Sequence, residues 1–447
     1  MLTSSEIREL PRKLVRKILK LGASDAAVSL NISNSTMIRF SNNNVIISNS
    51  FENAVLEIYL AFKERRVTGA ITDFSRTSIE QTVERLISTA KTVQPSDVYA
   101  PLPKGPFKYD KRLLKIGKVA MEPDVLVDHV SAAVNSALSA GAKRVAGSLR
   151  SMRGKTILCT SGNVEVSSTK DAVALSVRAF AADNATGQFA TVAADSSEFK
   201  PEEVGSIAGE IARMALNPIE GEPGRYDTIL GPMTFAHIVD EFGSATSAFN
   251  VDIGVSFLVD MLGKQVASQK FTLIDDPTMY NTYGAEPFDD EGLPTRRNVI
   301  VENGILKTYL HNSTTAKRHG TTSTANAGII VPTPFNLVVE AGDKSFEKLI
   351  SEVDKGIYVT NDWYLRYSNY REGDFSTVPR DGLFMIKNGS IEAPLRGLRL
   401  VGNMLKLLNS IVALSTERYW IEWWEVETPV YAPWAFITDI EFTKSTL

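Results

Sequence analysis

The sequence predicts an α+β protein of two domains. Helical and strand-like patterns alternate through the first half of its 447 residues, which is long enough for two domains. The second half is dominated by strand-like segments with tight turns, and a Pro- and Gly-rich segment, 217–224, separates the halves. We therefore expect a mixed N-terminal α+β domain of repeated strand–helix units over 1–216. We expect a mostly antiparallel β domain over 225–447.

The N-terminal half contains helix and strand patterns that recur in the same order. Apolar residues at Ile7, Leu14 and Ile18 share one helix face, and Gly22 ends that helix. Ser78 is a candidate N-cap for the second helix. The predicted strands are 26–32, 36–47, 54–62, 66–72, 144–150, 155–160, 164–169 and 172–181, and further helices are predicted at 125–140 and 202–216.

The C-terminal half opens with a helix at 232–245 and then carries mostly strand signals. Asn303-Gly304 and Asn388-Gly389 are typical of two-residue hairpin turns. The apolar-rich segment 398–411 predicts one more helix. Strands are predicted at 299–302, 305–310, 337–340, 356–360, 383–387 and 390–393.

Composition argues against several classes of protein. Lys and Arg number 48 against 52 Asp and Glu, a net charge of −4, whereas proteins that neutralise nucleic-acid phosphates are normally basic. No stretch approaches the ~18 apolar residues of a membrane span, and no signal-peptide pattern opens the chain. We expect a cytoplasmic protein that contacts neither nucleic acid nor membrane. The one basic cluster has the spacing of a solvated helix face: Arg12, Lys13, Arg16, Lys17 and Lys20.

The single cysteine, Cys159, excludes an intramolecular disulfide and a multi-cysteine zinc site. It lies in a strand-like run, so we expect a buried, unreactive thiol. Phosphate-binding loops, dinucleotide fingerprints and nucleophile elbows are all absent from the sequence.

The four histidines are the main candidates for chemistry. Asp240 and Glu241 follow His237 at i+3 and i+4 in the predicted helix, so the three could bind one cation from a single helix face. An ordinary polar face with a structural histidine has the same pattern. The remaining histidines are expected in loop, capping or solvated positions: His311, His319 and His129.

Two acidic clusters could bind Ca²⁺, Asp275-Asp276 and the segment 289–292. The second lacks the alternating ligands of an EF-hand loop, so a turn is the simpler interpretation. Arg296 and Arg297 follow closely and could neutralise it.

The region around the second cluster resembles the TldD/PmbA family. The similarity is carried by 287–297 (PFDDEGLPTRR) and 301–310 (VENGILKTYL). Further matching blocks lie at 22–25, 314–316, 323–328, 356–360, 384–390 and 391–403. The resemblance implies a two-domain α+β fold and a zinc-dependent peptidase that acts on unfolded or extended peptides. It also implies two paralogous subunit types that associate, of which one carries the metal.

In the metal-bearing type, a helix before this signature has a HExxxH motif, and a C-terminal cysteine completes the ligand set. Here His237 is retained, but Ile238 stands at the position of the general-base Glu and Phe242 at that of the second His. No cysteine occurs between 415 and 447. One imidazole gives zinc too few ligands, and no base remains to activate water.

The resemblance therefore indicates the PmbA (TldE-like) subunit type. It implies no catalytic residue and no cofactor in this chain, with zinc in a HExxxH-bearing TldD-like partner. The expected assembly is a heterodimer that processes unfolded peptides, with a homodimer as another form.

Two other functions stay open at this level: an active metallopeptidase with a non-standard site at His237, Asp240 and Glu241, and a binding adaptor without a protease role. The second fits the family's older description as modulators of DNA gyrase. The aromatic segment 419–424 (YWIEWW) is either a strand that packs its rings inward or an exposed surface for a partner or a peptide.

Overall fold

The structure is a computed structural model that describes residues 4–445. Its helices in this range are α1 (Ser4–Arg8), α2 (Leu10–Lys20), α3 (Arg76–Thr92), α4 (Pro123–Ser139), α5 (Pro201–Met214), α6 (Pro232–Ala245), α7 (Ala248–Asp252), α8 (Ser313–Arg318), α9 (Phe346–Ser351) and α10 (Met404–Asn409). None of them is long and apolar enough to cross a membrane.

The strands of the same range form two sheets. The N-terminal sheet contains β1 (Asp25–Ser41), β2 (Asn44–Phe62), β3 (Arg65–Ile71), β4 (Lys115–Ile116), β5 (Arg144–Thr160), β6 (Val164–Ala182) and β7 (Ala185–Ala193). The C-terminal sheet contains β8 (Ile219–Glu220), β9 (Gly224–Leu230), β10 (Leu273–Asp275), β11 (Asn298–Glu302), β12 (Ile305–Leu306), β13 (Leu337–Val339), β14 (Lys355–Val359), β15 (Asp362–Asn369), β16 (Asp374–Pro379), β17 (Leu383–Lys387), β18 (Ser390–Arg396), β19 (Leu398–Asn403), β20 (Ile411–Trp423) and β21 (Val426–Lys444).

The N-terminal sheet is built from two copies of one unit. Each has a helix, an antiparallel three-strand meander and a second helix: α2-β1-β2-β3-α3, then α4-β5-β6-β7-α5. The long strands β1 and β5 pair antiparallel at the centre, so the two units are related by an approximate two-fold axis. The predicted repetition of strand–helix units is confirmed.

Alternation along β1 places the helices on one face of this sheet. Val28, Leu30 and Ile38 are separated by even numbers of residues and are fully buried, so they share a face. Val28 and Leu30 belong to the core under α2 and α3, whereas Ile38 belongs to the core under α4 and α5. The basic side chains of α2 lie opposite its buried Leu14, as the sequence pattern predicts.

Several predicted boundaries in this half were wrong. Runs separated in the prediction are continuous strands: in β1 the exposed Asn34 lies on the same face as Leu30 and Ile38, between the parts of that face that belong to the two cores. The first hairpin turns at Asn42 and Asn43, which have φ of 49° and 69°. The N-cap of α3 is Ser75, whose Oγ accepts the Ser78 N–H.

In the C-terminal sheet the long strand β21 pairs with β9, β13, β19 and β20. Most pairs are antiparallel, and three are parallel (β9–β14, β13–β21 and β8–β18), so the predicted fold class is confirmed. Asn303-Gly304 and Asn388-Gly389 form the predicted hairpin turns, with φ positive at all four residues. The predicted strand 305–310 ends at Leu306.

The predicted helix at 398–411 was wrong. Residues 398–403 form β19, where Leu398 and Leu400 are buried on one face. Asn403 then caps the short helix α10, since its side chain accepts the Lys406 N–H. An apolar-rich segment with a strand followed by one helical turn has no single period, so the pattern was misassigned.

The chain passes from the first sheet to the second through 217–224, of which 219–220 form β8. One apolar core nevertheless runs from Ile38 in the first sheet to Phe442 in the last strand. The domain limits at 216 and 225 stay predictions.

Candidate functional site

Helix α6 is the element on which a catalytic motif would lie, and it has the predicted bounds of 232–245. It follows β9 directly and packs against β21. His237, Ile238 and Phe242 are all buried, with at most 1% of their surface exposed. Except for the exposed Ser244 and the partly buried Glu241, the side chains of this helix are buried within the protein.

The imidazole of His237 is held by a carboxylate on β15. Its Nδ1 lies 2.9 Å from Asp362 Oδ2, which also accepts the Thr377 hydroxyl at 2.6 Å. Burial alone lowers the pKa of His237, but the charge and hydrogen bond of Asp362, together with the charges of Glu241 and Glu425, outweigh burial and raise the pKa above its usual value. The site favours an imidazolium.

A second carboxylate faces the other ring nitrogen. Glu425, in the turn between β20 and β21, places Oε2 3.7 Å from His237 Nε2. The Tyr364 N–H donates to the other oxygen of Glu425 at 2.7 Å. Nη1 of Arg366 lies 3.6 Å from Glu425 Oε2. We call His237, Asp362 and Glu425 the α6 cluster.

Of the other two sequence candidates on α6, Glu241 lies near His237, whose pKa its negative charge helps to raise, whereas Asp240 is bound to the start of β21. Asp240 accepts the N–H groups of Glu427 and Thr428, so its carboxylate anchors the start of β21. Burial raises the pKa of Asp240 to about 6 and also raises that of Glu241. Within residues 4–445, no three or more His, Cys, Asp or Glu side chains are arranged to hold a metal ion.

The positions of the missing motif residues are filled by apolar core. Phe242 packs against Phe257 and Phe271 at ring-centroid distances of 6.0 and 6.3 Å, and Ile238 is fully buried. A second imidazole and a general base therefore have no counterpart on this helix. The donor set, one imidazole already bonded to Asp362, does not fit a zinc-peptidase centre.

Asp362, Glu425 and Arg366 were not identified from the sequence. Asp362 is 125 residues from His237 and no motif surrounds it. The sequence offers only a weak indication of Glu425, which directly follows the aromatic segment 419–424.

The acidic segment 289–292 forms a buried turn. Asp289 Oδ1 accepts the N–H groups of Glu291 and Leu293, and its Oδ2 accepts that of Ala327. Gly292 has a φ of 84°, a conformation that favours glycine. Backbone donors thus occupy the oxygens a cation would need, and the turn is the better interpretation.

Two further carboxylates complete this turn. Asp290 accepts the Ile329 N–H, and Glu291 accepts both the N–H and the hydroxyl of Ser313. Burial raises the pKa of Asp290 to about 6 and that of Glu291 to about 7. We call Asp289, Asp290 and Glu291 the loop cluster.

The expected neutralisation of this cluster by the following arginines was wrong. Arg297 lies 3.9 Å from Asp276 and from Glu340, and Arg296 is exposed. In the other acidic pair, Asp275 is buried and accepts three N–H groups, from Asn326, Phe335 and Asn336.

The remaining histidines have structural contacts. His311 is buried and hydrogen-bonds Thr315, and its pKa is lowered to about 4 by burial and by His319. His319 pairs with Asp252 at 2.8 Å. His129 is half-buried against Phe199, where a solvated position was expected.

Cys159 lies in β5, and its expected burial is confirmed. Burial raises its thiol pKa to about 12, which disfavours the reactive thiolate.

The aromatic segment 419–424 lies mainly on β20 and packs most of its rings inward. Tyr419 contacts Phe189 and Trp434, and Trp423 is buried beside Trp363. Trp424, 53% exposed, is the one large apolar side chain of the segment that is more than half exposed.

Trp420 lines a cleft of about 680 Å³ between the two sheets. Its ring stacks on that of Tyr431 with centroids 4.8 Å apart, and the guanidinium of Arg418 lies over the Tyr431 ring. The facing wall comes from β7, α5 and residues 280–283. Such a cleft is large enough for a small ligand or part of an extended peptide.

Comparison with known proteins gives a consistent picture. Residues 223–444 match the family model described as the PmbA/TldA metallopeptidase C-terminal domain. The metalloprotease PmbA of Escherichia coli O157:H7 is 27% identical over 381 residues, 81% of each chain. A metalloprotease TldD homolog of Buchnera aphidicola is 30% identical over 225 residues, 48% of this chain and 46% of the relative. The chain spans about half the length of the TldD-type and archaeal metalloproteases that it matches.

Two solved structures have the same fold along nearly the entire chain. A candidate modulator of a DNA gyrase from Thermotoga maritima superposes with a TM-score of 0.84 at 24% identity, covering 99% of this chain and 100% of that one. TldE from Thermococcus kodakarensis superposes with a TM-score of 0.83 at 21% identity, covering 97% and 99%. At these identities the likeness establishes the fold.

Proposed function

The chain belongs to the TldD/PmbA family, and on that premise we propose that it is the non-catalytic, TldE/PmbA-like subunit of a zinc metalloprotease complex. The observation that carries the proposal is the state of α6. His237 is bonded to Asp362 and faced by Glu425, while apolar side chains hold the positions of the general base and the second histidine. A peptidase centre needs about three ligands and a base, so we assign both to a HExxxH-bearing TldD-like paralogue.

The extent of sequence similarity supports the subunit type. The match to a PmbA protein extends over 381 residues, whereas the match to the Buchnera TldD homolog ends after 225. The longer match includes both sheets.

We further propose that this subunit helps enclose the channel in which the partner cleaves unfolded peptides. The cleft beside Trp420 offers stacked aromatic rings together with charged residues such as Arg418 and Glu203. Aromatic faces and main-chain groups contact many peptide sequences with little selectivity, which suits an unfolded substrate.

The test compares this chain, the paralogue and their co-purified complex on unfolded casein with zinc present. We expect the complex to cleave casein and this chain alone to be inactive, with zinc bound in proportion to the paralogue. A matched variant, His237→Gln, retains a polar group at the same position and should leave the zinc content of the complex unchanged. Cleavage or stoichiometric zinc binding by this chain alone, lost in His237→Gln, would instead establish the non-standard metal site.

Purification of this chain from native lysate tests the adaptor alternative. Recovery of no metalloprotease paralogue under conditions that preserve complexes would contradict the proposal and favour a binding role without proteolysis.

A further inference from the structure

The first hairpin of the N-terminal sheet carries a long free edge. Strand β3 pairs with β2 only over residues 56–62, and among the described residues no other strand pairs with the outer edge of β2 over 44–55. Every residue of 44–53 is exposed, including Ile47 and Phe51, which are 42% and 49% exposed. A long apolar edge of this kind is a template for pairing with another strand.

The second repeat unit shows how the equivalent strand is covered. In β6, Val164 and Val166 are buried against Phe107, Tyr109 and Phe288. Strand β4 also pairs with β6 at 169–170, and β7 pairs with it from residue 173. Residues 44–55 of β2, which we call the arm of the first unit, have no such cover from residues 4–445, although the two units share one plan.

The side-chain types of residues 47–51 are symmetric about Asn49. Residues 47–51 are Ile-Ser-Asn-Ser-Phe, that is, apolar, hydroxyl, amide, hydroxyl, apolar around Asn49. The register with β1 places Ile47, Asn49 and Phe51 on one face, and Ser48 and Ser50 on the other. Over 47–51, an antiparallel partner of the same sequence would therefore place similar side chains opposite each other on each face.

We propose that a second copy of this chain pairs with this edge, antiparallel, about a two-fold axis at Asn49. Ile47 then lies opposite Phe51 of the other copy, and Ser48 opposite Ser50, each pair occurring twice. A copy of the chain is the occupant favoured over an arbitrary peptide, because the same segment supplies these matched pairs on both faces.

Charge agrees with this register. Glu52 is the one ionisable residue in 44–53, and the axis places it opposite Ile46 of the other copy. The two Glu52 side chains are then six residues apart along the strands, about 20 Å, so like charges do not meet. The inference goes beyond the proposed function and does not rest on it.

The strength of the pairing is limited by its size. A single strand edge buries less than the roughly 800 Å² per partner of a standard interface. We therefore expect a reversible dimer with a Kd of about 1–100 μM. Sedimentation of the full chain, at protein concentrations from below to above this Kd range, should show a shift from monomer to dimer.

Cross-linking tests the register. Asn49→Cys places two thiols directly opposite each other, at the 4.5–5.5 Å Cα separation that a disulfide can bridge. Cys159 does not compete, because it is buried. Glu52→Cys is the matched control on the same exposed arm, and its thiols would lie about 20 Å apart. We expect Asn49→Cys to form covalent dimer at least about tenfold faster.

Disruption tests the surface itself. Phe51→Lys should weaken dimerisation at least about tenfold, since edge lysines oppose pairing. Leu262→Lys, at a similarly exposed apolar residue elsewhere, should leave it unchanged. A chain that stays monomeric at 200 μM (about twice the weakest Kd expected), equal cross-linking of the two cysteine variants, or a dimer insensitive to Phe51→Lys would each overturn the proposal. Cross-linking of Asn49→Cys to the paralogue alone would overturn it as well, by identifying a different occupant.

Discussion

The α6 cluster and the loop cluster both bury carboxylates, but they balance the charge in different ways. In the α6 cluster, Asp362 and Glu425 face the two nitrogens of one imidazole. In the loop cluster, backbone N–H groups and Ser313 hold the carboxylates. Removing one charge from a cluster built around a buried cation leaves the other charge unpaired and destabilises the protein. A cluster held by neutral donors should tolerate loss of a carboxylate's charge, provided that an acceptor oxygen remains for those donors.

The largest expected effect is at the α6 cluster. Asp362→Ala should lower the free energy of unfolding by about 3–5 kcal/mol, because it leaves the imidazole of His237 buried without its partner. Urea unfolding at pH 7 measures this loss. The control is the double variant His237→Leu/Asp362→Leu, which removes both partners and should recover part of the stability; Thr377 keeps its bond to the Trp363 carbonyl. A cost below about 1 kcal/mol for Asp362→Ala would show that His237 is not held as an ion pair.

The next largest effect on the free energy of unfolding is expected at the loop cluster. Asp289→Ala should cost about 2–4 kcal/mol, because three buried N–H groups lose their acceptor. Asp289→Asn retains one acceptor oxygen and should cost less than half as much. The same urea measurement distinguishes them, and equal costs for the two variants would mean that the charge, and not the acceptor, stabilises this turn.

The contrast also shows what the sequence could provide. Fold class, the bounds of α6 and both Asn-Gly hairpins follow from local periodicity and turn chemistry, and the structure confirms them. The loop cluster lies within one short motif, with its carboxylates on adjacent residues, so its position was visible in the sequence even though its donors were not. The α6 cluster joins residues separated by more than a hundred positions, and such pairings depend on the tertiary fold.

The errors have equally specific causes. Long strands were divided where exposed polar residues such as Asn34 interrupt the apolar pattern, although the backbone continues in β1. The segment at 398–411 was misassigned because a strand and a short helix share one apolar run. The free edge around Ile47 and Phe51 cannot be predicted from local sequence, because it depends on which other strands pair with β2.

A third prediction concerns the pH dependence of the loop cluster. Burial raises the pKa of Glu291 from 4.5 to about 7. Because the folded state holds this proton more tightly than the unfolded state, the stabilisation is complete below pH 4.5 and is lost as pH rises through 7. Glu291→Gln should remove the contribution of Glu291 to this dependence, on the order of 3 kcal/mol between pH 4.5 and 7.5. Urea unfolding at several pH values tests it. A difference between the two proteins that stays constant with pH would contradict the assignment.

The smallest expected effect is at the rim of the α6 cluster. Arg366 lies 3.6 Å from Glu425, but its side chain is 65% exposed, so Arg366→Ala should cost less than about 1 kcal/mol. Arg371→Ala, an exposed arginine on the adjacent turn that makes no ion pair among residues 4–445, is the matched control. The two variants should differ little in urea unfolding, and the difference should vanish at high salt. If Arg366→Ala instead cost as much as Asp362→Ala, the charge of Glu425 would be balanced from the rim, and His237 would no longer be the cation on which this cluster depends.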